Sequence, residues 1–212
     1  PFWELSDLPL PVAAGVSTLQ RSWRAIRQEG LALMRAGAFA AEPERLTEQG
    51  WNQLVLWDHG HWNQQLCSGP ASSTCTVLSG LRRTAESNDP YIDVSVRGQV
   101  KFSMLRPGTS ILPHTGTTNA RLRLHLGLRV PVLGTQGSEG RQQQFWIRVA
   151  DKDPRGWADG QVLILDDSFE HELMASSGAM ANGTCADPSE ETEADAARLI
   201  LIVDIDHPDI AR

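Results

Sequence analysis

Residues 121–128 read Arg121-Leu122-Arg123-Leu124-His125-Leu126-Gly127-Leu128, a run in which every second residue is leucine. Successive side chains of a β-strand point to opposite faces, so the run predicts a strand whose leucines fill one face while Arg121, Arg123 and His125 share the other. A row of cationic and polar groups turned inward is costly unless it binds something anionic. If that face points to solvent instead, the row is an ordinary hydrated stripe.

Further short strands are predicted around this run, from about residue 94 onward. The candidate strands are alternating or apolar segments separated by Pro/Gly turns such as Arg106-Pro107-Gly108, and they cover 94–105, 121–131, 144–150, 161–166 and 197–205. Many short strands at this spacing are typical of a jelly roll or barrel. The sequence therefore predicts a mainly β fold.

An amphipathic helical pattern precedes the strands. Apolar residues recur at roughly the helical period over 17–40, namely Leu19, Trp23, Ile26, Leu31, Leu33 and Met34. We expect this region, about 16–40, to pack outside the β-core of about 94–206 as helical support. A chain of 212 residues without a composition shift before residue 176 favours a single domain over 1–212.

Composition narrows the class of partner. The net charge is -7, and no block rich in Lys or Arg is present. Nucleic acids and anionic membranes both require a positive surface, so neither is expected as a partner. No run reaches the roughly 18 apolar residues that span a bilayer, and no signal peptide pattern opens the chain. We expect a protein, a peptide or a small molecule as partner, and no membrane contact by this fragment.

Two histidines are the candidate metal ligands. His114 lies just before the alternating run, and His171 follows the apolar segment Val162–Leu165. Two neutral imidazoles that a β-barrel brings together, with open positions left on the ion, would make a non-haem iron oxygenase site. Histidines this far apart in sequence are a weak signal, however, and two ordinary histidines at strand ends are the alternative.

Three motifs occur in the right order to resemble the catalytic domain of aspartyl/asparaginyl β-hydroxylase, an Fe(II)- and 2-oxoglutarate-dependent oxygenase. They are His114-Thr-Gly-x-Thr-Asn-x-Arg-Leu-Arg-x-His125-Leu-Gly-Leu, then Asp166-Asp-Ser-Phe-Glu-His171-Glu, then Arg198-Leu-Ile-x-Ile-Val-Asp. Residues 51–57, Cys67 with Cys75, and residues 101–109 are similar too, so the resemblance covers nearly the whole chain. It implies a double-stranded β-helix (jelly roll, cupin-like) with flanking helices.

The resemblance implies that His114 and His171 hold the iron and, with Arg123, are catalytic. Most enzymes of this class have a carboxylate two residues after the first histidine, whereas this chain has Gly116, a departure that the resembled family shares. Water or an anion is then expected at the vacant position, and Gly116→Asp is expected to tighten iron binding. We interpret the acids around His171 as acceptors that orient its ring, with Asp166 or Asp167 as a third ligand in the alternative hypothesis.

The co-substrate 2-oxoglutarate is a dianion whose far carboxylate requires a buried cation. Arg198 opens an apolar strand and presents a fork that matches a carboxylate, although a salt bridge at a strand edge is the alternative. The resemblance adds four residues to this pocket: Trp51, Ser103, Arg123 and His125. A position in the core is an equally consistent interpretation of Trp51.

By the same resemblance, Arg121 and Lys101 meet the acidic or amide side chain of the substrate. The implied reaction uses O2 and hydroxylates the β-carbon of an Asp or Asn residue, in the family within EGF-like domains. Two alternatives remain open. One is the same chemistry on a small molecule or another peptide, and the other is a catalytically silent barrel that binds acidic ligands. Retention of both histidines and Arg198 argues against the second alternative.

Cys67 and Cys75 bracket a turn-prone segment. The residues alone favour two free thiols, but the resemblance implies a disulfide, and with it a secretory compartment rather than the cytoplasm, which stays open. Cys185 is then left over. Residues 176–196 are small, polar and acidic, which predicts a flexible surface insertion, with a lid or substrate-selective loop as the alternative.

Overall fold

The computed structural model describes residues 1–41, 47, 50–81, 91–92, 94–133, 142–176 and 196–209. Most of the acidic segment predicted at 176–196, including Cys185, lies outside these ranges. Within them, no helix is both long enough and apolar enough to cross a membrane.

The helices lie in the first part of the chain and the longer strands follow. The helices are α1 (Leu10–Arg21), α2 (Trp23–Arg35), α3 (Gln64–Cys67) and α4 (Ser72–Gly80). The strands are β1 (Phe2–Trp3), β2 (Ala40–Ala41), β3 (Trp51–Asp58), β4 (His61–Trp62), β5 (Gln99–Leu105), β6 (Ser110–His114), β7 (Arg121–Arg129), β8 (Val132–Leu133), β9 (Gln142–Gln143), β10 (Phe145–Val149), β11 (Arg155–Gly156), β12 (Val162–Leu165), β13 (His171–Ala175) and β14 (Arg198–Asp206).

Two antiparallel sheets form the β-core. The larger sheet has the order β1-β12-β7-β14-β5-β3-β2, with β4 attached to β3, and the smaller has the order β11-β10-β13-β6. From β5 onward the long strands alternate between the two sheets: β5, β7, β12 and β14 belong to the larger one, and β6, β10 and β13 to the smaller one. This alternation is the winding of a double-stranded β-helix, so the predicted fold class is confirmed.

The two faces of the larger sheet are buried by different partners. The leucines of β7, at positions 122, 124, 126 and 128, are all fully buried in a core that they share with α1, α2 and α4. The opposite face packs against the smaller sheet through a second apolar core, which includes Leu105, Phe145 and Ile202. Because β14 is covered on both sides, only its last residue, Asp206, is exposed.

Two local features differ from the sequence analysis. The helical region begins at Leu10, because Pro11 falls in the first turn, where its missing N–H costs nothing. The segment Trp51–Asp58, which shows no clear alternation, forms a full strand beside β5. The segment between the cysteines forms the predicted turn at residues 68–71 and becomes helical from Ser72, since Cys67 ends α3 and Cys75 lies within α4.

The disulfide that the resemblance implied is present. Cys67 and Cys75 are bonded, with their Cα atoms 5.5 Å apart. The carboxylate of Glu29 on α2 also accepts hydrogen bonds from the backbone N–H groups of Ser73 and Thr74, at 2.7 and 2.8 Å. The disulfide and this cap together attach α4 to the helical layer.

Gly127 provides a test of how tightly the sheet is packed. A Cβ atom on Gly127 would lie 2.1 Å from the carbonyl oxygen of Ala158, and backbone at both positions is hydrogen-bonded in the same turn. We expect Gly127→Ala to lower the free energy of unfolding by about 2 kcal/mol or more, because backbone must move to admit the methyl group. Chemical denaturation measures this loss. Gly80→Ala is the matched control, since a Cβ there meets nothing within 4 Å, and an equal loss in both variants would contradict the packing argument.

Candidate active site

A cleft of about 520 Å³ opens between the two sheets. Most of the lining residues are polar, and they come chiefly from β3, β5, β6, β7, β13 and the connections that follow β6 and β12. The lining includes Trp51, Gln53, Lys101, His114, Gly116, Arg121, Arg123, Asp167 and His171.

The two candidate metal ligands face each other in this cleft. His114 on β6 and His171 on β13 are directly opposite in the antiparallel register. Their ring centroids are 4.2 Å apart. The fold therefore brings together two imidazoles that are far apart in sequence, within reach of one ion.

A β-bulge aims His114 into the cleft. Ile111 pairs with Leu173 and His114 pairs with His171, so two residues of β6, Leu112 and Pro113, oppose the single residue Glu172 of β13. Simple alternation from the buried Ile111 would turn His114 outward. The extra residue reverses the alternation, and a bulge is one of the few sheet positions that accept proline. Leu112 and Pro113 are accordingly both exposed.

Both rings are fixed in the tautomer that a metal ligand requires. A backbone carbonyl can only accept, so the Nδ1–H of His114 donates to the oxygen of Leu112 at 2.7 Å and that of His171 to the oxygen of Phe169 at 2.9 Å. Each neutral ring then carries its lone pair on Nε2. Burial lowers the pKa of His171 to about 4, which keeps its imidazole neutral.

The structure overturns the idea that Gly116 leaves room for a side chain. A Cβ atom at Gly116 would lie 2.5 Å from the carboxylate carbon of Asp167, and the Gly116 N–H donates to the Asp167 carbonyl. The carboxylate of Asp167 thus already fills the space beside position 116. Its Oδ1 atom has no hydrogen-bond partner among the described residues. Within those residues, no group of three or more His, Cys, Asp or Glu is placed to hold a metal.

The polar face of β7 points inward, as one of the two open interpretations held, and its arginines are held by buried acids. Arg121 contacts Asp167 at 3.0 Å and Asp204 at 3.3 Å, and Arg123 contacts the same two carboxylates at 3.2 and 2.7 Å. Burial works to raise the pKa of Asp204, but the charges of Arg123 and Arg121 outweigh it and hold that pKa below its usual range. Asp204 ends the third motif, but its pairing with these arginines was not predicted.

Arg198 is a fully buried cation that is not itself part of the cleft lining but connects to it through Ser103 and Trp51. Its Nη2 atom is 3.4 Å from the hydroxyl of Ser103, which also accepts from the indole N–H of Trp51 at 3.1 Å. Within the described ranges, Nε and Nη1 of Arg198 have no hydrogen-bond partner. Burial lowers the pKa of Arg198 to about 9, so the guanidinium is still charged at neutral pH. An unpaired cation in such a place calls for an anion.

His125 connects Arg198 to the histidine pair. It is buried on β7, and its Nε2 atom has no partner among the residues described. Burial, followed by the charges of Arg123, Arg198, His171 and Lys101, lowers its pKa well below the usual range, so the ring is neutral.

Two further residues at the site were missed by the sequence analysis. Trp157, which follows β11, donates its indole N–H to His125 and lies against Arg198. Gln53 on β3 pairs with Ser103 and lines the cleft, and its Nε2 atom has no partner among the described residues. Trp157 lies outside the recognised motifs, whereas Gln53 lies within the similar segment 51–57, where no role was assigned to it.

Lys101 completes the predicted set. It is buried at 8% exposure on β5, where it lies opposite Ile202, and Ile202 lies opposite His125 on β7. Lys101 therefore shares the inward face of the larger sheet with Ser103 and His125. The arrangement can hold a divalent cation between two imidazoles and a small dianion in a cationic pocket beside it.

Comparison with known proteins gives one consistent result. A family model described as Aspartyl/Asparaginyl beta-hydroxylase matches residues 20–208. The chain is 40% identical over 198 residues to human aspartyl/asparaginyl beta-hydroxylase, covering 92% of this chain and 21% of the human protein. It is 30% identical over 205 residues to rat aspartate beta-hydroxylase domain-containing protein 2, covering 92% of this chain and 49% of the rat protein. The chain thus spans less than half of each relative.

A solved structure is similar at a lower level. The crystal structure of a Pseudomonas putida prolyl-4-hydroxylase matches 89% of this chain and 87% of its own, with 14% identity and a TM-score of 0.44. That likeness is too weak to inform the chemistry.

The contact between Gly116 and Asp167 predicts the outcome of adding a carboxylate. Gly116→Asp should lower both the free energy of unfolding and the affinity for Fe(II), because two carboxylates would compete for one space while Asp167 is tied to both arginines. The double variant Gly116→Asp/Asp167→Ala should recover part of both losses, since it removes the obstructing group. Denaturation and metal titration of the single and double variants measure the coupling. Tighter metal binding in the single variant would contradict this reading.

Proposed function

Because the chain belongs to the aspartyl/asparaginyl β-hydroxylase family, we propose that it is an Fe(II)- and 2-oxoglutarate-dependent dioxygenase. Its proposed substrate is an aspartyl or asparaginyl residue of a protein or peptide, which it hydroxylates at the β-carbon. The observation that carries the proposal is the fully buried guanidinium of Arg198, whose Nε and Nη1 have no partner in the described chain. These two N–H groups require a neutral or anionic hydrogen-bond acceptor from solution.

The donor set fits Fe(II). His114 and His171 each offer a neutral Nε2 atom whose orientation is fixed by a backbone carbonyl. Imidazole is a good ligand for iron, and two such ligands leave coordination positions for groups from solution. When Fe(II), 2-oxoglutarate and O2 are bound, they supply oxidative decarboxylation of 2-oxoglutarate to succinate and CO2, coupled to insertion of one oxygen atom into a substrate C–H bond.

Arg198, Ser103, Trp51 and His125 are the proposed binding groups for 2-oxoglutarate. The planar guanidinium of Arg198 can present a parallel pair of N–H groups to the two oxygens of one carboxylate, with the hydroxyl of Ser103 beside them. His125 is neutral and buried, so it can donate to a carboxylate oxygen without adding charge. We also assign Arg123 to the co-substrate side of the site.

Arg121 and Lys101 are the proposed contacts for the acidic or amide side chain of the substrate. Both line the cleft, and both are largely buried. Arg121 is held in position by Asp167 and Asp204, so it is oriented before substrate arrives. Gln53 lines the same cleft with an Nε2 atom that lacks a described partner, and its amide can donate to the same side chain. An EGF-like domain is the substrate that the family membership favours.

Turnover with peptides tests the function. Fe(II)-loaded protein should convert 2-oxoglutarate to succinate in the presence of Asp- or Asn-containing EGF-like peptides, and mass spectrometry should find one oxygen atom added to the peptide. His114→Ala and His171→Ala should each abolish turnover and most Fe(II) affinity, because two neutral donors leave no spare protein ligand. His61→Ala, an exposed histidine outside the cleft lining, is the control. Turnover with free amino acids but not with peptides would favour a small-molecule substrate instead.

Removing the charge of Arg198 should stabilise the ligand-free protein but weaken the binding of 2-oxoglutarate. Arg198→Met should raise the free energy of unfolding of the ligand-free protein, on the order of 1 to 4 kcal/mol, because it removes a buried unpaired charge at similar volume. The same variant should need about 30-fold more 2-oxoglutarate or worse, since the ligand's carboxylate loses its partner. Thermal unfolding with and without 2-oxoglutarate measures both. Arg148→Met, at an exposed arginine paired with Glu172, is the control, and an unchanged 2-oxoglutarate requirement in Arg198→Met would mean that another cation holds the ligand.

A further inference from the structure

Trp157 touches both of the buried groups that lie deepest in the site. The side chain is 4% exposed and packs in the apolar core between the two sheets. Its Nε1 atom lies 3.2 Å from Nδ1 of His125, and the planes of the two rings, whose centroids are 6.0 Å apart, are inclined by 26°. The guanidinium carbon of Arg198 lies 4.4 Å from the centroid of the indole. One side chain therefore links two groups on different strands, β7 and β14.

The hydrogen bond between Trp157 and His125 fixes where the histidine proton lies. An indole N–H can only donate, so Nδ1 of His125 must accept and cannot carry a proton. A neutral ring then has its proton on Nε2, the atom that has no partner among the described residues. A protonated ring would place two N–H groups against each other at Nδ1. Histidine can carry a proton on Nδ1 only, on Nε2 only, or on both. The contact with Trp157 therefore selects the neutral ring with its proton on Nε2.

The indole is also placed to hold Arg198. A guanidinium over an aromatic face gains a cation–π attraction without using any of its N–H donors. The Nε and Nη1 groups of Arg198 therefore stay available while the group as a whole is restrained. The chain behind Trp157 is restrained as well, because Ala158 packs against the backbone of Gly127 and Gly160 donates to the Gly127 carbonyl at 2.8 Å.

We propose that Trp157 is a positioning residue for the co-substrate: it holds His125 as a neutral Nε2–H donor aimed at a carboxylate oxygen and holds Arg198 with two N–H groups free for the other carboxylate. This role rests on the proposed function, since 2-oxoglutarate is the ligand that would receive both donors. Neither the sequence motifs nor the family match assigns a role to this residue.

The experiment separates the hydrogen bond from the ring. Trp157→Phe keeps an aromatic face over Arg198 but removes the indole N–H. Trp57→Phe is the matched control, because Trp57 is also buried and donates a similar bond, to the carbonyl of Ser95 at 3.2 Å, while it lies outside the cleft lining. The His125 tautomer is read from ¹⁵N shifts of labelled histidine in the metal-free protein. The affinity for 2-oxoglutarate is measured by calorimetry on Zn(II)-loaded protein, which does not turn over.

We expect the wild type and Trp57→Phe to show a proton on Nε2 and none on Nδ1 of His125. Trp157→Phe should show a mixture of tautomers and bind 2-oxoglutarate about tenfold more weakly, the effect of one hydrogen bond to a charged group. The KM for peptide should stay within about twofold in both variants, because the indole faces the co-substrate side.

Several results would overturn the proposal. A proton on Nδ1 of His125 in the wild type would contradict the tautomer assignment directly. Equal 2-oxoglutarate affinity in Trp157→Phe and Trp57→Phe would leave Trp157 as a packing residue only. A wild-type protein that binds no 2-oxoglutarate at all would overturn the proposed function, whereas the ¹⁵N result reports on Trp157 and His125 independently of it.

Discussion

The two sheets pack face to face, and inward-pointing side chains must fill the space between them. The chemical character of these side chains changes along the strands. On β13 the inward residues run from Ala175 and Leu173 to His171, and on β14 they run from Ile202 to Asp204. On both strands the inward residues thus change from apolar to polar toward the cleft. The apolar end supplies the burial that stabilises the fold. The polar side chains are then surrounded by tightly packed strands, so the buried charged groups keep fixed partners.

The sequence predicts this arrangement unevenly. The alternation of β7 determines which residues share a face, and the apolar run after Arg198 marks a strand buried on both sides, so the fold class and the arginines follow from local patterns. Trp157 and Asp204 could not be predicted, because their roles depend on which strands become neighbours. A run of residues carries information about its own face and none about the strand that will lie opposite.

The error at Gly116 has the same physical origin. A residue without a side chain indicates open space only if nothing else occupies that space, and here the carboxylate of Asp167 arrives from the connection after β12. Its backbone carbonyl accepts from Gly116, so the two segments touch through backbone and side chain alike. The space beside position 116 is occupied by an acid from a different part of the chain, one that is tied to two arginines.

Because of the bulge in β6, the orientation of His114 depends on the number of residues between Ile111 and His114. Because Leu112 and Pro113 together oppose one residue of β13, the loss or gain of a single residue between Ile111 and His114 would exchange the faces of the strand and turn the imidazole toward solvent. Evolution can therefore silence this kind of site without substituting either histidine. Among homologous chains, an alignment that preserves both histidines but gaps this strand marks a candidate pseudoenzyme, and the spacing is as diagnostic as the ligands themselves.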